Sequence, residues 1–448
     1  MEGFFRSSTP RKEEETRRCM LLQAASTPYK KLHIWCRRAV TRKNSELPMM
    51  SSLSMLEESE GGVPEVDAEV LASLQARGAT FVFLDVPAGT EFGMNMSTHT
   101  VGDNFRGVKL IPAGVHFIHY SAVGRSGNSA PRTGFFHHFA QGELLVKRWD
   151  KAAEDISSVP ISAEEKERIR ANLTGDLDRY LGVFSYSEWS RWISLSKHIT
   201  REVVARLQPE SKLICSATPF ESQPFCSHRG RRNSEGHADS AAIDTEDKEA
   251  DIAAKADKLV ELKELPEFMI RYTPFPKRRH PSNATPAEIT RHGMDSSYVL
   301  ESLLSAWPHE RDLLGELQFV FVCFLVGHVY PSFEQWQRLV SAFCTSAEAV
   351  NRHPDLYSEL LSVLHFQLRE VPTDFFVDIV ARKNFVTDAL SALFRNVADS
   401  DEPDVGPASL KKKAFRFKTS LVELMGWSFD EEEPDEERPV VVELDDVD

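Results

Sequence analysis

A strongly apolar tract runs from Gly315 to Gly327 with the sequence GELQFVFVCFLVG. Within it, Leu317, Val320 and Phe324 recur at steps of three or four residues, and the tract is longer than a strand of about 5–6 residues. The other apolar residues fall on the remaining faces, as expected for a helix inside a bundle. Spanning a bilayer needs about 20 apolar residues. We therefore predict the central helix of an all-α domain rather than a membrane helix.

A different pattern precedes this domain. Short runs rich in aromatic and β-branched residues alternate with turn sequences such as Pro-Ala-Gly. The runs predict strands at 80–84, 107–111, 115–120, 134–139 and 143–149. A short helix is predicted before them, at 70–76. Strands at this spacing indicate an antiparallel sheet or a small sandwich.

Helices are predicted after these strands. Ser162 and Glu165 have the spacing of a capping box, which marks a helix start. Further helices are predicted at 168–181 and 186–207. The second has a periodic face that we expect to pack on the sheet, formed by Trp189, Trp192, Ile193, Ser196 and Ile199.

The C-terminal half reads as closely spaced helices. Thr285, Pro286 and Glu288 form a compact helix start, with a cap, a first-turn proline and a glutamate three residues beyond the cap. Besides the central helix, helices are predicted at 295–307, from Pro331, from Pro354, from Pro372, at 384–398 and at 410–427. Short connections between them predict an antiparallel bundle or a short superhelix.

Composition divides the chain further. Its net charge is −15, yet residues 1–48 carry 11 Lys/Arg against 5 Asp/Glu, whereas the tail from Ser428 carries 11 acidic residues and only Arg438. Ends of opposite charge are typical of disordered arms. We predict an α+β chain of two domains. The ranges are a disordered extension (1–64), a β-rich domain with helices (65–218), a flexible linker (219–265), an α-helical domain (266–427) and an acidic tail (428–448).

The cysteines and the ends of the chain bear on its compartment. Six cysteines are scattered without a CxxC pair, which gives little support to a zinc site or a disulfide framework and favours a reducing compartment. No secretory segment or membrane run is evident. We expect a protein of the cytoplasm and nucleus.

Candidate chemistry is sparse. His116 and His119 should point to opposite faces of one strand, so they cannot jointly bind a metal ion, and adjacent His137 and His138 share this problem. No HExxH, P-loop, GxSxG or dinucleotide-binding turn is found. Asp85 is interpreted as part of a strand-ending turn. We predict no catalytic residue, no cofactor and no metal site.

Two basic clusters, at 277–279 and 411–413, have two possible interpretations. Each is consistent with nuclear import or RNA contact, but such runs more often form solvated faces. The second cluster is predicted to lie at a helix start.

Several longer segments occur in a characteristic order. They are GTEFG from Gly89, FRGVKLIP from Phe105, HFIHYS from His116, GFF from Gly134, ATPAEIT from Ala284, GELQF from Gly315 and PTDFFVDIV from Pro372. Together they resemble the AAR2 family of splicing factors over roughly 70–444. The first sixty-odd residues are not covered, and the linker matches poorly.

This resemblance implies a β-rich N-terminal domain, a VHS-like helical domain and no catalysis. It also implies a role in assembly of the U5 snRNP. Family members bind the scaffold pre-mRNA-processing factor eight through its RNase H-like and Jab/MPN-like domains. This binding prevents the helicase of the particle from binding the scaffold until maturation. Two alternatives stay open, a membrane-trafficking adaptor and a metal-dependent hydrolase built on the strand histidines.

The acidic tail carries the predicted partner-binding segment. Its residues have a strand-like pattern that would become ordered by adding to an exposed sheet edge: Val440, Val441, Val442, Glu443 and Leu444. The alternative is that the segment pairs within its own chain or stays disordered. Ser428, followed by four acidic residues from Asp430, resembles an acceptor for an acidophilic kinase, and a phosphate there would favour release.

Overall fold

The computed structural model describes residues 77–124, 127–219, 265–371, 385–401 and 409–429. Within them a β-rich region precedes a helical one, which confirms the predicted two-domain α+β class. Several predicted segments lie outside the described residues. They are the extension, the helices at 70–76 and from Pro372, nearly all of the linker, and the tail strand. The domain boundaries stay a prediction.

Ten strands in the described residues make two five-stranded sheets. They are β1 (Ala79–Leu84), β2 (Glu91–Met94), β3 (Ser97–Thr100), β4 (Gly107–Ile111), β5 (Gly114–Ser121), β6 (Thr133–Phe139), β7 (Leu144–Asp150), β8 (Asp155–Ile156), β9 (Leu181–Val183) and β10 (Ile214–Cys215). All five predicted strands are present.

The two sheets differ in strand direction. The second sheet, ordered β10-β6-β5-β2-β3, is antiparallel throughout. The first sheet, ordered β8-β7-β1-β4-β9, is mixed, because β1 pairs in parallel with β7 and β4 pairs in parallel with β9. The expectation of antiparallel pairing is therefore wrong for the first sheet, whereas the sandwich is confirmed.

Aromatic side chains fill the space between the sheets. Phe81 of the first sheet stacks on Phe92 of the second at 5.9 Å between ring centroids, and Phe83 lies 5.8 Å from Tyr120. All four rings are buried. Ring pairs at these distances stabilise a core by more than their buried area alone contributes. The strand alternation seen in the sequence has therefore produced a sandwich with an aromatic, buried core.

Three helices accompany the sandwich: α1 (Ala163–Asn172), α2 (Trp189–Ser196) and α3 (Arg201–Leu207). The Ser162 hydroxyl caps α1 by accepting a hydrogen bond from the Glu165 amide, which is one half of the predicted capping box, while the Glu165 carboxylate pairs with Arg148 at 2.5 Å. The helix predicted at 168–181 is wrong beyond Asn172, since Leu181 instead opens β9 and is buried against the first sheet.

The helix predicted at 186–207 is in fact two helices. Thr200 ends the connection between α2 and α3 and caps α3 through its hydroxyl. On the predicted face, Trp192 is fully buried and its indole nitrogen donates to the Val115 carbonyl of β5 at 2.8 Å. Ile193 departs from the expectation, because 43% of it is exposed.

The helical domain follows the predicted order. Its described helices are α4 (Pro286–Met294), α5 (Ser297–Leu304), α6 (Glu310–Leu325), α7 (Tyr330–Cys344), α8 (Ala347–Arg352), α9 (Pro354–Glu370), α10 (Phe385–Ala398) and α11 (Leu410–Met425). The capping box of Thr285 and Glu288 is present at α4. No described helix is long and apolar enough to cross a membrane.

Helix α6 is the predicted central helix. Fourteen of its sixteen residues are buried, so it has partners on every side, as the sequence pattern indicated. Phe324 packs on Phe333 of α7 at 4.7 Å between ring centroids. On another side Phe319 stacks on Phe136 of β6 at 4.5 Å. The central helix of the helical domain therefore also touches the sandwich.

The two domains share one apolar core, in which α2 and α3 lie between the second sheet and α6. The Gln318 side chain of α6 accepts from the His198 amide at 2.7 Å and donates to the Ser194 carbonyl at 3.0 Å. The Arg132 guanidinium, buried beside β6, donates to the Val326 carbonyl at 2.8 Å. These contacts hold the sandwich and the bundle in one arrangement.

Candidate partner-binding surfaces

His116 is a packing residue of β5. Its ring stacks on Trp189 at 5.4 Å between centroids, accepts from the Asn95 side-chain amide at 3.1 Å and donates to the Pro112 carbonyl at 2.9 Å. Burial lowers its pKa to about 4, an effect that the contact with Pro112 opposes and that His137 and His138 reinforce. The neutral ring therefore fits its site.

His119 lies on the other face of β5, as predicted. It packs beside Phe117 at 5.8 Å and close to Gly93, where an added Cβ would fall 2.1 Å from the imidazole. Burial, together with Arg132, holds its pKa well below the ordinary value. Within the described part of the chain no group of His, Cys, Asp or Glu is arranged to hold a metal ion.

Thiols and Asp85 have structural surroundings. Cys323 and Cys344 are fully buried in the bundle, and burial raises the pKa of both thiols, so they remain protonated. Burial also raises the pKa of the Cys215 thiol, to about 12. Asp85 stands at a positive φ of 61° after β1 and pairs with Arg148 at 3.4 Å, which confirms the turn.

A buried carboxylate on α6 escaped the sequence analysis. Glu316 is fully buried, and its Oε1 accepts from the Thr273 amide at 2.9 Å and from the Gln335 amide group at 3.1 Å. These bonds attach the chain entering the helical domain to α6 and α7. The sequence did contain a signal for these contacts, because Glu316 and Gln318 are polar residues inside an otherwise apolar tract.

Two sheet edges lie beside each other at one side of the sandwich. β3 is the last strand of the second sheet and β9 the last of the first. Between them is a shallow cavity of about 60 Å³, to which Phe92, His99 and Val183 contribute. Pockets for small molecules are typically about 300–1,000 Å³. These edges therefore suit contact with another polypeptide better than capture of a small ligand.

The two basic clusters lie on the surface in different settings. Lys277, Arg278 and Arg279 are exposed in the loop before α4. The second cluster begins α11, as predicted, and there Lys413 reaches across to the Ser358 hydroxyl of α9 at 3.1 Å. The first cluster thus matches a solvated loop, whereas the second belongs partly to helix packing.

Of the acidic tail, the structure describes the first two residues, Ser428 and Phe429, whereas the predicted binding segment Val440–Leu444 lies outside the described residues. Ser428 is exposed, as a phosphate acceptor must be. Phe429 beside it is 8% exposed and packs edge-on against Phe394 of α10 at 5.2 Å. The tail therefore leaves the protein from a fixed point between α10 and the end of α11.

Comparison with known families gives two matches in chain order. Residues 77–209 match the AAR2 N-terminal domain, and residues 272–430 match the AAR2 C-terminal repeat region. The first match covers β1 to β9 with α1, α2 and α3, and the second covers the helical domain up to the root of the tail.

Individual relatives extend over most of the chain. It is 41% identical over 385 residues to the human protein AAR2 homolog, covering 85% of this chain and 97% of the relative. The Caenorhabditis elegans protein AAR2 homolog is 33% identical over 364 residues, with 81% and 97% covered. The A1 cistron-splicing factor AAR2 of Saccharomyces cerevisiae is 21% identical over 309 residues, with 66% and 78% covered. Two family matches in chain order, with human and Caenorhabditis elegans relatives aligned over 97% of their length, show that this chain belongs to the AAR2 family.

Proposed function

We propose that this chain is a non-enzymatic assembly factor of the U5 snRNP in pre-mRNA splicing. The observation that carries the proposal is the family membership, since the chain aligns with 97% of the human relative and also matches a yeast protein named as a splicing factor. A role in splicing follows from that name. Binding of pre-mRNA-processing factor eight and control of the helicase are the finer parts of the proposal.

The buried polar groups support a role without catalysis. His116 and Glu316 are the kind of groups that active sites use, but each is engaged in hydrogen bonds that join one element to another. Both lie away from open clefts, with no exposed surface. Their contacts explain their presence as features of folding.

The tail is the proposed contact with the scaffold. The segment Val440–Leu444 supplies main-chain donors and acceptors along its length, and these would pair with an exposed sheet edge of an RNase H-like or Jab/MPN-like domain. Phe429 supports this mechanism because it fixes where the tail begins. Phosphorylation of exposed Ser428 would add about −1.5 to −2 charges to an acidic arm and favour release.

Affinity purification of the full chain from a cell extract tests the proposal. We expect the scaffold protein and other U5 components to copurify with the chain, and we expect the helicase not to be recovered with them. Recovery of endosomal cargo in place of spliceosomal proteins would overturn the assembly role, and simultaneous recovery of scaffold and helicase would overturn helicase exclusion. We also propose that the protein occupies both cytoplasm and nucleus, which fluorescence microscopy of the tagged chain checks.

A further inference from the structure

Helix α11 carries a stripe of alternating cationic and apolar residues. Its sixteen residues include five Lys or Arg and one Glu, in a chain of net charge −15. Lys411, Phe415, Lys418 and Val422 are spaced by four, three and four residues, so they lie along one side of the helix. We call these four residues the α11 stripe.

The stripe lies beside the row of residues that α11 buries, with both of its apolar residues exposed and both of its lysines half-buried. The residues that α11 buries are Leu410, Ala414, Phe417 and Leu421, which form a separate row. Phe415 is 70% exposed and Val422 is 44% exposed. Single exposed apolar residues are common, but an exposed phenylalanine placed between two lysines on a helix surface has the chemistry of a docking site for an acidic, partly apolar peptide.

The chain itself contains such a peptide close to this helix. Of the eight residues at 430–437, seven are acidic, and the apolar segment Pro439–Leu444 follows shortly afterwards. Phe429 fixes the start of this sequence beside the end of α11. Since Phe429 lies four residues beyond Met425, the acidic run begins within about 15 Å of the end of α11.

The reach of the tail matches the length of the stripe. From Met425 back to Lys411 is about 21 Å at a rise of about 1.5 Å per residue. Eight extended residues span up to about 26 Å. An acidic run that turns back at Phe429 thus extends along the whole stripe.

We propose that in the free chain the acidic run at 430–437 folds back and docks on the α11 stripe. The carboxylates pair with Lys411 and Lys418, and the run passes over Phe415 between them. Attachment through Phe429 keeps the run near its site at an effective concentration of about millimolar, so weak surface pairs suffice. If the tail strand is the scaffold contact, which rests on the proposed function, this docking keeps the strand on its own chain until a sheet edge replaces the stripe.

Site-specific photo-crosslinking of the full chain tests the docking. The crosslinking amino acid p-benzoylphenylalanine replaces Phe415 in one protein and Val159 in a control, because both positions are 70% exposed. Irradiation followed by peptide mass spectrometry identifies the attachment points. We expect Phe415 to attach to peptides from 430–444 in the monomer, whereas Val159, on the sandwich, does not.

Charge supplies the second arm of the test. Raising the salt concentration from about 0.1 M to 1 M shortens the Debye length from about 10 Å to about 3 Å, so the crosslink at Phe415 should fall about fivefold or more. Replacing Lys411→Glu and Lys418→Glu should have the same effect at low salt. A matched double variant, Lys277→Glu and Arg278→Glu, changes the net charge equally and should leave the crosslink intact.

Three results would overturn the docking. They are equal attachment from Phe415 and Val159, a crosslink unaffected by reversal of the stripe lysines, and attachment only between two molecules, seen as a dimer that depends on concentration. No partner is needed for this measurement, so it stands apart from the proposed function. Conversely, a crosslink that persists in the purified complex with the scaffold would overturn the tail as scaffold contact and leave the docking in place.

Discussion

A Cβ on Gly315 would lie 2.3 Å from the carbonyl oxygen of His198 and 2.9 Å from the Val203 side chain. The backbone of α6 therefore approaches the connection between α2 and α3 as closely as a glycine permits. Because α2 and α3 follow the sandwich and α6 belongs to the bundle, this close approach is one of the contacts that fix the spacing between the two domains.

Gly315→Ala should destabilise the protein by about 1–3 kcal/mol, since the new methyl group must displace backbone rather than a flexible side chain. Urea denaturation measures the change in the free energy of unfolding. Gly293→Ala is the matched control, because a Cβ there meets nothing within 4 Å. The control should gain up to about 1 kcal/mol from the better helix propensity of alanine. Equal stability of the two variants would contradict the close approach.

Phe324→Ala should cost about 3–5 kcal/mol through the cavity left inside the bundle. Phe324 is 1% exposed, whereas Met294 is 82% exposed. Met294→Ala should therefore change stability by less than about 0.5 kcal/mol. Thermal melting compares the two proteins, and a melt for Phe324→Ala like that of the parent would place α6 at the periphery.

The protein should lose stability below neutral pH through His116. Its pKa is about 4 in the folded protein against an ordinary value of 6.5, so the unfolded chain binds the proton first as the pH falls. Stability contributed by the neutral ring is complete above about pH 6.5 and decreases towards pH 4, by at most about 3 kcal/mol.

His116→Gln removes that titration while leaving the other histidines in place. The free energy of unfolding, measured by urea denaturation from pH 7 to pH 4, should depend less steeply on pH in the variant than in the parent. Parallel pH profiles for the two proteins would show that His116 is solvated or charged in the native state.

Deleting Pro439–Asp448 should weaken binding of the scaffold while leaving the thermal melt unchanged, because the removed residues lie beyond Phe429, the last buried residue that the structure describes. Titration calorimetry measures the affinity. Undiminished binding would rule out strand addition by the tail. Ser428→Glu tests the proposed switch in the same assay, and we expect a smaller loss of affinity, since one carboxylate carries less charge than a phosphate.

Patterns within one element were enough to predict much of this fold. The period of three and four in the tract around Phe324 identified α6, and the two-residue alternation of β5 placed His116 and His119 on opposite faces. In both cases the side chains are sorted by burial along a single element. Local sequence therefore carries the information.

Contacts between distant parts of the chain could not be predicted in this way. Leu181 has no strand pattern of its own, and β9 forms because β4 offers a parallel partner at Gly107. The break between α2 and α3 follows from the fit of His198 against α6, which lies more than a hundred residues later. The α11 stripe was missed because Lys411 was considered with its neighbours along the chain rather than with Phe415 and Lys418 on one side of a helix.

The shared core has a consequence for how the protein is made. Trp192 and Val203 belong to the same buried core as α6, and α6 lies about a hundred residues further along the chain. At about 5–20 residues per second, the ribosome delivers α6 roughly 5–20 s after α2 and α3. During that interval the newly made sandwich carries an uncovered apolar face, so a chaperone that shields this face protects the nascent chain from aggregation.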